Sequence, residues 1–162
     1  MSEPHTVHGT VERSIDVGVP PVVVFRAFSQ LAVRSRWFRI PGRDPDGIHE
    51  LDFRVGGSEH VRGSFSPLEH PELLDFQLRF IDIVPERRVV QSFEFRLDER
   101  LRAVFLQTFE LTATDAGTRI DYTDQFTFID PPGDGAADVA ERVGGSRLMM
   151  IGLKVAAESA AA

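Results

Sequence analysis

Three polar residues interrupt otherwise apolar alternations in the second half of the chain. Each could orient a ligand, and Asp124 could also move a proton. Gln91 breaks the series Val89, Phe93, Phe95, Leu97; Gln107 breaks Ala103, Phe105, Phe109, Leu111; Asp124 breaks Ile120, Tyr122, Phe126, Phe128. Alternation puts one parity of a strand on one face, so each interrupting residue points toward whatever its apolar neighbours bury. If Asp115-Ala116 is a two-residue hairpin turn, Gln107 lies opposite Asp124, Phe109 opposite Tyr122 and Phe105 opposite Phe126. A three-residue loop at 98–100 sets Gln91 beside Gln107, and a two-residue turn at Pro85-Glu86 sets Phe80 beside Gln91. The spacing therefore predicts a row Phe80, Gln91, Gln107, Asp124 across four strands. These registers keep every apolar parity on one face, which a slip of one residue would destroy. An unpaired buried polar group costs roughly 1–3 kcal/mol. The row must then bond to itself, Gln amide to Asp carboxylate, or to water, or it must orient a ligand's hydroxyl or carbonyl. In an apolar setting the Asp124 carboxyl would also be pushed up toward general acid–base use.

Other candidates carry less chemistry. Around Gly56-Gly57 two registers are open: a tight turn puts His60 opposite Phe53 on the buried face, and a bulged one turns Glu59 and Val61 inward. The apolar Val61 and Phe65 favour the second. Asp52 and Arg54 fall off the apolar parity and read as surface charges bracketing a hairpin. Trp37 and Phe38 close a short helix, where they would form either a packed helix end or the mouth of a pocket. Met149, Met150 and Leu153 recur at helical spacing and read as core that would also wall a pocket. No His or carboxylate cluster has metal-ligand spacing, so no metal is expected. Val55-Gly56-Gly57-Ser58 and Val143-Gly144-Gly145-Ser146 lack the glycine fingerprint and lysine of a phosphate loop. No nucleophile-elbow pattern joins the serines and histidines, and the absence of Cys removes thiol chemistry.

The elements that must position these residues follow from periodicity and turn chemistry. A first strand spans 7–17; Pro20-Pro21 then starts a helix on which Val24, Phe28 and Leu31 share a face. A second short helix covers 32–38 and a Pro, Gly and Asp-rich loop covers 40–47. Strands follow near 49–55, 58–66, 73–84, 87–97, 101–114 and 117–128. Pro131-Pro132-Gly133 ends the sheet. The remainder is a helix whose apolar face carries Leu148, Met149, Ile151, Leu153, Val155 and Ala156, with Gly144-Gly145 as its start or a kink and a fraying end from Ala156 to Ala162. That order predicts an α+β fold, a curved antiparallel sheet of about seven strands around a C-terminal helix, with space for a cavity between them.

Composition sets the outer limits. The 162 residues fit one domain spanning 1–162, with an ordered core at roughly 7–157. Eighteen Lys and Arg against 25 Asp and Glu give a net charge of −7, which repels phosphate backbones and anionic membranes. Nucleic acid and membrane insertion are not expected, and the start lacks a leader pattern, so the expected setting is cytoplasmic. Thirteen Phe against one Trp and one Tyr supply apolar area with no hydrogen-bonding handle, for a solid core or a pocket wall.

Ser14-Ile15-Asp16-Val17 through Pro20-Pro21, Val24-Phe25 and Ala27-Phe28, followed by Arg36-Trp37-Phe38, resemble the opening of the activator of heat-shock-protein-90 ATPase homologue-like family, within the START-like (SRPBCC, birch-pollen-allergen-like) superfamily. Asp52-Phe53-Arg54-Val55-Gly56-Gly57 and Ile83-Val84-Pro85-Glu86-Arg87-Arg88-Val89-Val90 resemble its hairpin signatures. The likeness covers roughly residues 10 to 155; Pro67 to Leu73, in the third-to-fourth strand connection, departs from it. It implies a helix-grip fold with an elongated pocket for a small apolar or amphipathic ligand, and no universal catalytic residue. Members include lipid and hydrophobe carriers, polyketide cyclases, stress proteins and chaperone regulators, so the fold alone does not assign a function.

The expected function is non-catalytic binding of a small hydrophobic or amphipathic molecule, without cofactor. Trp37, Phe53, Phe80, Gln91, Phe93 and Phe105 would line one part of the site. Gln107, Tyr122, Asp124, Phe126, Met149 and Leu153 would line the rest. The alternatives are a polyketide cyclase or dehydratase-like enzyme using Asp124, and a chaperone-associated regulatory protein. A homodimer is left open as a further partner.

Overall fold

In the computed structural model, which describes residues 3–42 and 44–161, seven antiparallel strands form one sheet. In chain order these are β1 (Thr6–Val17), β2 (Ile48–Leu51), β3 (Ser58–Phe65), β4 (Glu72–Val84), β5 (Arg88–Leu97), β6 (Arg100–Thr114) and β7 (Gly117–Ile129). The helices are α1 (Pro21–Ser29), α2 (Leu31–Arg34) and α3 (Ala136–Ala160). The spatial order is β1-β7-β6-β5-β4-β3-β2, so the chain lays its first strand beside its last and then meanders outward. One face of the sheet, carrying Phe80, Val89, Phe105, Phe109, Ile120 and Tyr122, is buried beneath the helices. This is the antiparallel sheet with a long C-terminal helix expected from the pattern of elements, and the helix-grip fold that the family resemblance implies. No helix among the described residues is long and apolar enough to cross a membrane.

Pro20, extended at φ −67° and ψ 160°, precedes Pro21 at the first helical position, where a missing N–H costs nothing. Val22, Val23 and Val24 are poor helix formers. Burial of Val24, Ala27 and Phe28 overrides that preference. The second helix is shorter than the expected 32–38: α2 ends at Arg34, and the chain continues to Phe38 in turns closed by Trp37 N–H and Phe38 N–H on the Arg34 carbonyl. Trp37 anchors this corner by donating its indole N–H to the Ala27 carbonyl at 2.8 Å.

The turns differ from expectation while the central registers agree. Between β4 and β5 the turn has three residues, Pro85 to Arg87, with Val84 opposite Arg88 and Glu86 at φ 62°. A bulge at Ile81 then restores Phe80 opposite Gln91. Between β5 and β6 the turn is the two-residue Asp98-Glu99, both at positive φ, rather than the loop 98–100. Here a bulge at Arg102 restores Gln91 opposite Gln107. The Asp115-Ala116 turn is as expected, with Gln107 opposite Asp124. The expected strand 49–55 is cut to Ile48–Leu51, because Asp52 to Gly57 form a loop closed by Asp52 N–H on Ser58 O and Gly57 N–H on Arg54 O. A Cβ on Gly57 would lie 2.1 Å from the Asp52 carbonyl, so only glycine fits this turn.

The C-terminal helix departs most. α3 begins at Ala136 and runs straight through Gly144-Gly145, and its buried stripe is Ser146, Met150, Leu153, Ala156 and Ala157. Leu148, Ile151 and Val155, expected on the apolar face, are 71%, 43% and 56% exposed. The backbone of the helix runs closest to β1, α1 and α2, and Leu148, Ile151 and Val155 lie on the side turned away from them.

Candidate functional site

The expected row is present on the buried face, and it is longer than the sequence indicated. Gln91 Nε2 donates to Gln107 Oε1 at 2.7 Å, and Gln107 Nε2 donates to the Tyr122 hydroxyl at 2.7 Å. From the other side, Arg34 on α2 donates Nη2 to Gln91 Oε1 at 3.2 Å and to Glu59 Oε2 at 2.6 Å. Glu59 also bonds His49 Nε2 at 2.7 Å. At the far end Arg142, from α3, donates Nη2 to the Tyr122 hydroxyl at 3.1 Å and Nε to Asp124 Oδ2 at 2.5 Å. The result is a continuous chain of polar contacts, His49, Glu59, Arg34, Gln91, Gln107, Tyr122, Arg142, Asp124, that crosses the sheet under its helices. Gln107 and Asp124 face each other but do not bond. The expected amide-to-carboxylate contact is replaced because Tyr122 takes the amide and Arg142 takes the carboxylate.

Both arginines are held by aromatic faces as well as by carboxylates. The Arg34 guanidinium lies 4.5 Å from the ring centres of Trp37 and of Phe38. That of Arg142 lies 4.3 Å from Phe105, which stacks on Phe93 at 4.2 Å between centroids. A ring face attracts a cation, and more so where water is excluded. Such partners make burial of Arg34, whose side chain is fully buried, physically possible.

The two carboxylates respond to their surroundings in opposite directions. Burial pushes the Glu59 carboxyl up, but Arg34 and His49 together outweigh it and hold the group below its ordinary value. For Asp124 burial prevails over Arg142 and the Tyr122 hydroxyl, and the carboxyl sits above its ordinary value. Burial also drives the Tyr122 hydroxyl up, so it stays neutral and serves as a hydrogen-bonding group. Among the described residues two buried side-chain atoms have no hydrogen-bond partner: Arg34 Nη1 and Asp124 Oδ1, one near each end of the row.

The remaining expected residues fall into place around this row. Phe80, Phe93, Phe105, Phe126 and Leu153 are buried in the core, as is Trp37 at the end of the α2 corner. Met149 is half-buried against the same core. Phe53 sits in the Asp52 to Gly57 loop rather than on a strand and packs edge-on against Phe25 and Phe80. Glu59 and Val61 turn inward, but neither expected register forms, because the loop 52–57 sets Leu51 opposite Glu59 and His49 opposite Val61; His60 faces outward and bonds Asp75 Oδ1 at 2.9 Å. Asp52 and Arg54 form an exposed pair at 2.8 Å. No group of three or more His, Cys, Asp or Glu among the described residues is placed to hold a metal.

Arg34, His49 and Arg142 were not singled out by the sequence. For Arg142 a signal existed: extended backward past Gly144-Gly145, the buried stripe Leu153, Met150, Ser146 reaches Arg142 and Val139. Reading a start or kink at the glycines hid it. The surface hollows among the described residues include two of note. One of about 270 Å³ lies between β1 and α3 at Arg13, Ile15, Arg147 and Met150. The other, about 410 Å³, includes His8, Leu106, Gln125 and Thr127 together with Phe105 and Phe126. Neither is lined by Gln91, Gln107, Tyr122 or Asp124, all of which are buried.

Comparison with known proteins agrees with this architecture. The structure resembles that of an uncharacterized protein from Rhizobium leguminosarum, with 27% identity, a TM-score of 0.85, and coverage of 98% of this chain and 99% of that one. A Rhizobium loti protein is 32% identical, with a TM-score of 0.74 and coverage of 96% and 99%. DynU16, a protein of the dynemicin biosynthetic locus, shares the fold at 17% identity and a TM-score of 0.61, covering 90% of this chain and 45% of its own. No curated protein sequence matches. The model of the Activator of Hsp90 ATPase homolog 1-like protein family matches residues 18–149, a span running from just after β1 into α3 and containing every member of the polar row. The chain belongs to that family.

Proposed function

We propose that the protein binds a small amphipathic molecule within the sheet-to-helix interior, the polar row orienting its polar group and the Phe-rich face accepting its apolar body. The observation that carries this reading is the pair of unpartnered buried atoms, a donor at Arg34 Nη1 and an acceptor at Asp124 Oδ1, in an interior otherwise walled by aromatic rings. A core built only for stability is better served by apolar residues or by complete pairing, since each unmet buried group costs about 1–3 kcal/mol. A ligand supplying the missing partners would recover that loss. In the enzymatic alternative the unpartnered Oδ1 of Asp124 would act as an acid or base on the bound molecule.

The test is a thermal-shift panel of hydrophobic dyes, flavonoid-like aromatics and fatty acids, because a ligand selective for the native state raises the melting temperature. For any compound that binds, Gln107→Leu should weaken affinity by about tenfold or more while leaving a cooperative unfolding transition. A panel without any shift, or a Gln107→Leu variant that binds as well as the parent, would remove the basis for the reading.

A further inference from the structure

Arg142 makes poor use of the carboxylate it covers. Both its Nε and its Nη2 converge on the single oxygen Oδ2 of Asp124, and the second oxygen, Oδ1, is buried with no partner. An Arg–carboxylate pair at its strongest is a fork on a fork, with one N–H on each oxygen. Around this carboxylate stand the Tyr122 hydroxyl, which accepts from Arg142, and the stacked faces of Phe105 and Phe93 at 4.3 and 5.8 Å from the guanidinium carbon. A buried carboxylate beside aromatic faces and a hydroxyl acceptor is a receptor for an organic cation. At present it holds a cation that belongs to the protein.

That cation is placed where it can leave. The Arg142 side chain is 16% exposed, whereas that of Asp124 is fully buried, so the receptor lies one side chain below the surface. Arg142 belongs to the first turns of α3, where Ala136, Ala137, Ala140, Glu141 and Val143 are exposed. Two and three residues further on, Gly144 and Gly145 face open space, so packing does not require glycine there. Glycine in a helix interior loosens it by roughly 0.5–1 kcal/mol relative to alanine.

We propose that Arg142 is a built-in stand-in for the head group of the ligand: the site formed by Asp124, Tyr122, Phe93 and Phe105 takes an amphipathic organic ammonium or guanidinium compound, whose charged head displaces Arg142 and engages both oxygens of Asp124. This rests on the binding reading above and adds the charge of the ligand to it.

Three probes of matched shape separate the two ideas: 4-phenylbutylamine, 4-phenylbutanol and 4-phenylbutanoate, titrated calorimetrically near pH 7 into the parent protein, Arg142→Ala and Arg142→Gln. The Gln variant retains an N–H donor for Asp124 and covers the case in which Arg142→Ala fails to fold. Removing the guanidinium should tighten binding of the amine by about tenfold or more and leave the alcohol and the acid unimproved. Adding Asp124→Asn to Arg142→Gln should abolish that gain. If the three probes tighten equally, Arg142 is merely a plug, and the cation receptor is overturned while the binding reading stands. If the acid gains most, the assigned charge is wrong. If no probe binds any folded form and the earlier panel is also silent, both ideas fall.

Discussion

Glu59 is the residue on which the polar row is most exposed to pH. It is fully buried, it neutralises an equally buried Arg34, and its carboxyl is held below the ordinary value of 4.5. A carboxyl depressed in the folded state contributes stability that is complete above its unfolded value and lost as pH falls through the folded one. Asp124 has the opposite sign: raised above 3.8, it favours the fold most when protonated, and that contribution declines as pH rises through its folded value. Glu59→Gln should therefore cost about 3–5 kcal/mol near neutrality, because it leaves the Arg34 charge buried without a counter-charge. The same substitution should flatten the loss of stability below pH 4.5, and urea unfolding at a series of pH values reads both. If the acid limb keeps its slope in the variant, other carboxylates carry it. Burial of the Arg34 and Arg142 charges was not legible locally. An arginine among apolar neighbours is tolerated only if carboxylates and ring faces from distant segments converge on it, and no window of sequence around Arg34 or Arg142 contains Glu59, Phe105 or Asp124.

At the scale of elements, α3 combines two kinds of helix. From Ser146 onward it is docked: Ser146, Met150, Leu153, Ala156 and Ala157 are buried, and Arg13 on β1 donates to Ser146 Oγ at 2.8 Å and to the Val143 carbonyl at 2.6 Å. Before Gly144 only Val139, Asp138 and Arg142 turn partly inward, and Asp138 meets Arg102 at 3.8 Å. Alanine at both glycines should stabilise the protein by about 0.5–1 kcal/mol each, since a Cβ at either position meets nothing within 4 Å. If the early turns must yield for a ligand to enter, the doubly substituted protein should also bind more slowly in stopped-flow mixing. Destabilisation by the double substitution would show that the glycines serve some packing need. The strands repeat the lesson in another form: the turns at 85–87 and 98–99 each differ by one residue from the expected length. The bulges at Ile81 and Arg102 correct them, because misfacing Phe80, Gln91 and Gln107 would cost far more than one unpaired residue in a ladder.

Across the whole molecule, the sheet face is closed by three unequal pieces: α1 and the docked part of α3, the α2 corner around Trp37, and the lightly held early turns of α3. Local opening follows the least buried piece. Amide exchange should therefore be faster for 139–145 than for 150–157, and a cationic amphiphile that replaces Arg142 should alter protection in the first segment and in β7 around Asp124. Uniform protection along α3 would show that the helix opens as one unit. The sequence by itself determined the antiparallel α+β order, the inward parity of each strand and the facing of Gln91, Gln107 and Asp124, because alternation and hydrophobic burial act residue by residue along a strand. Only the tertiary structure decided what those groups bond to, that the chain of contacts runs on through Arg34, Glu59 and Arg142, and how deeply the row is buried. Each of those depends on where elements far apart in sequence come to rest against one another, which no local pattern encodes.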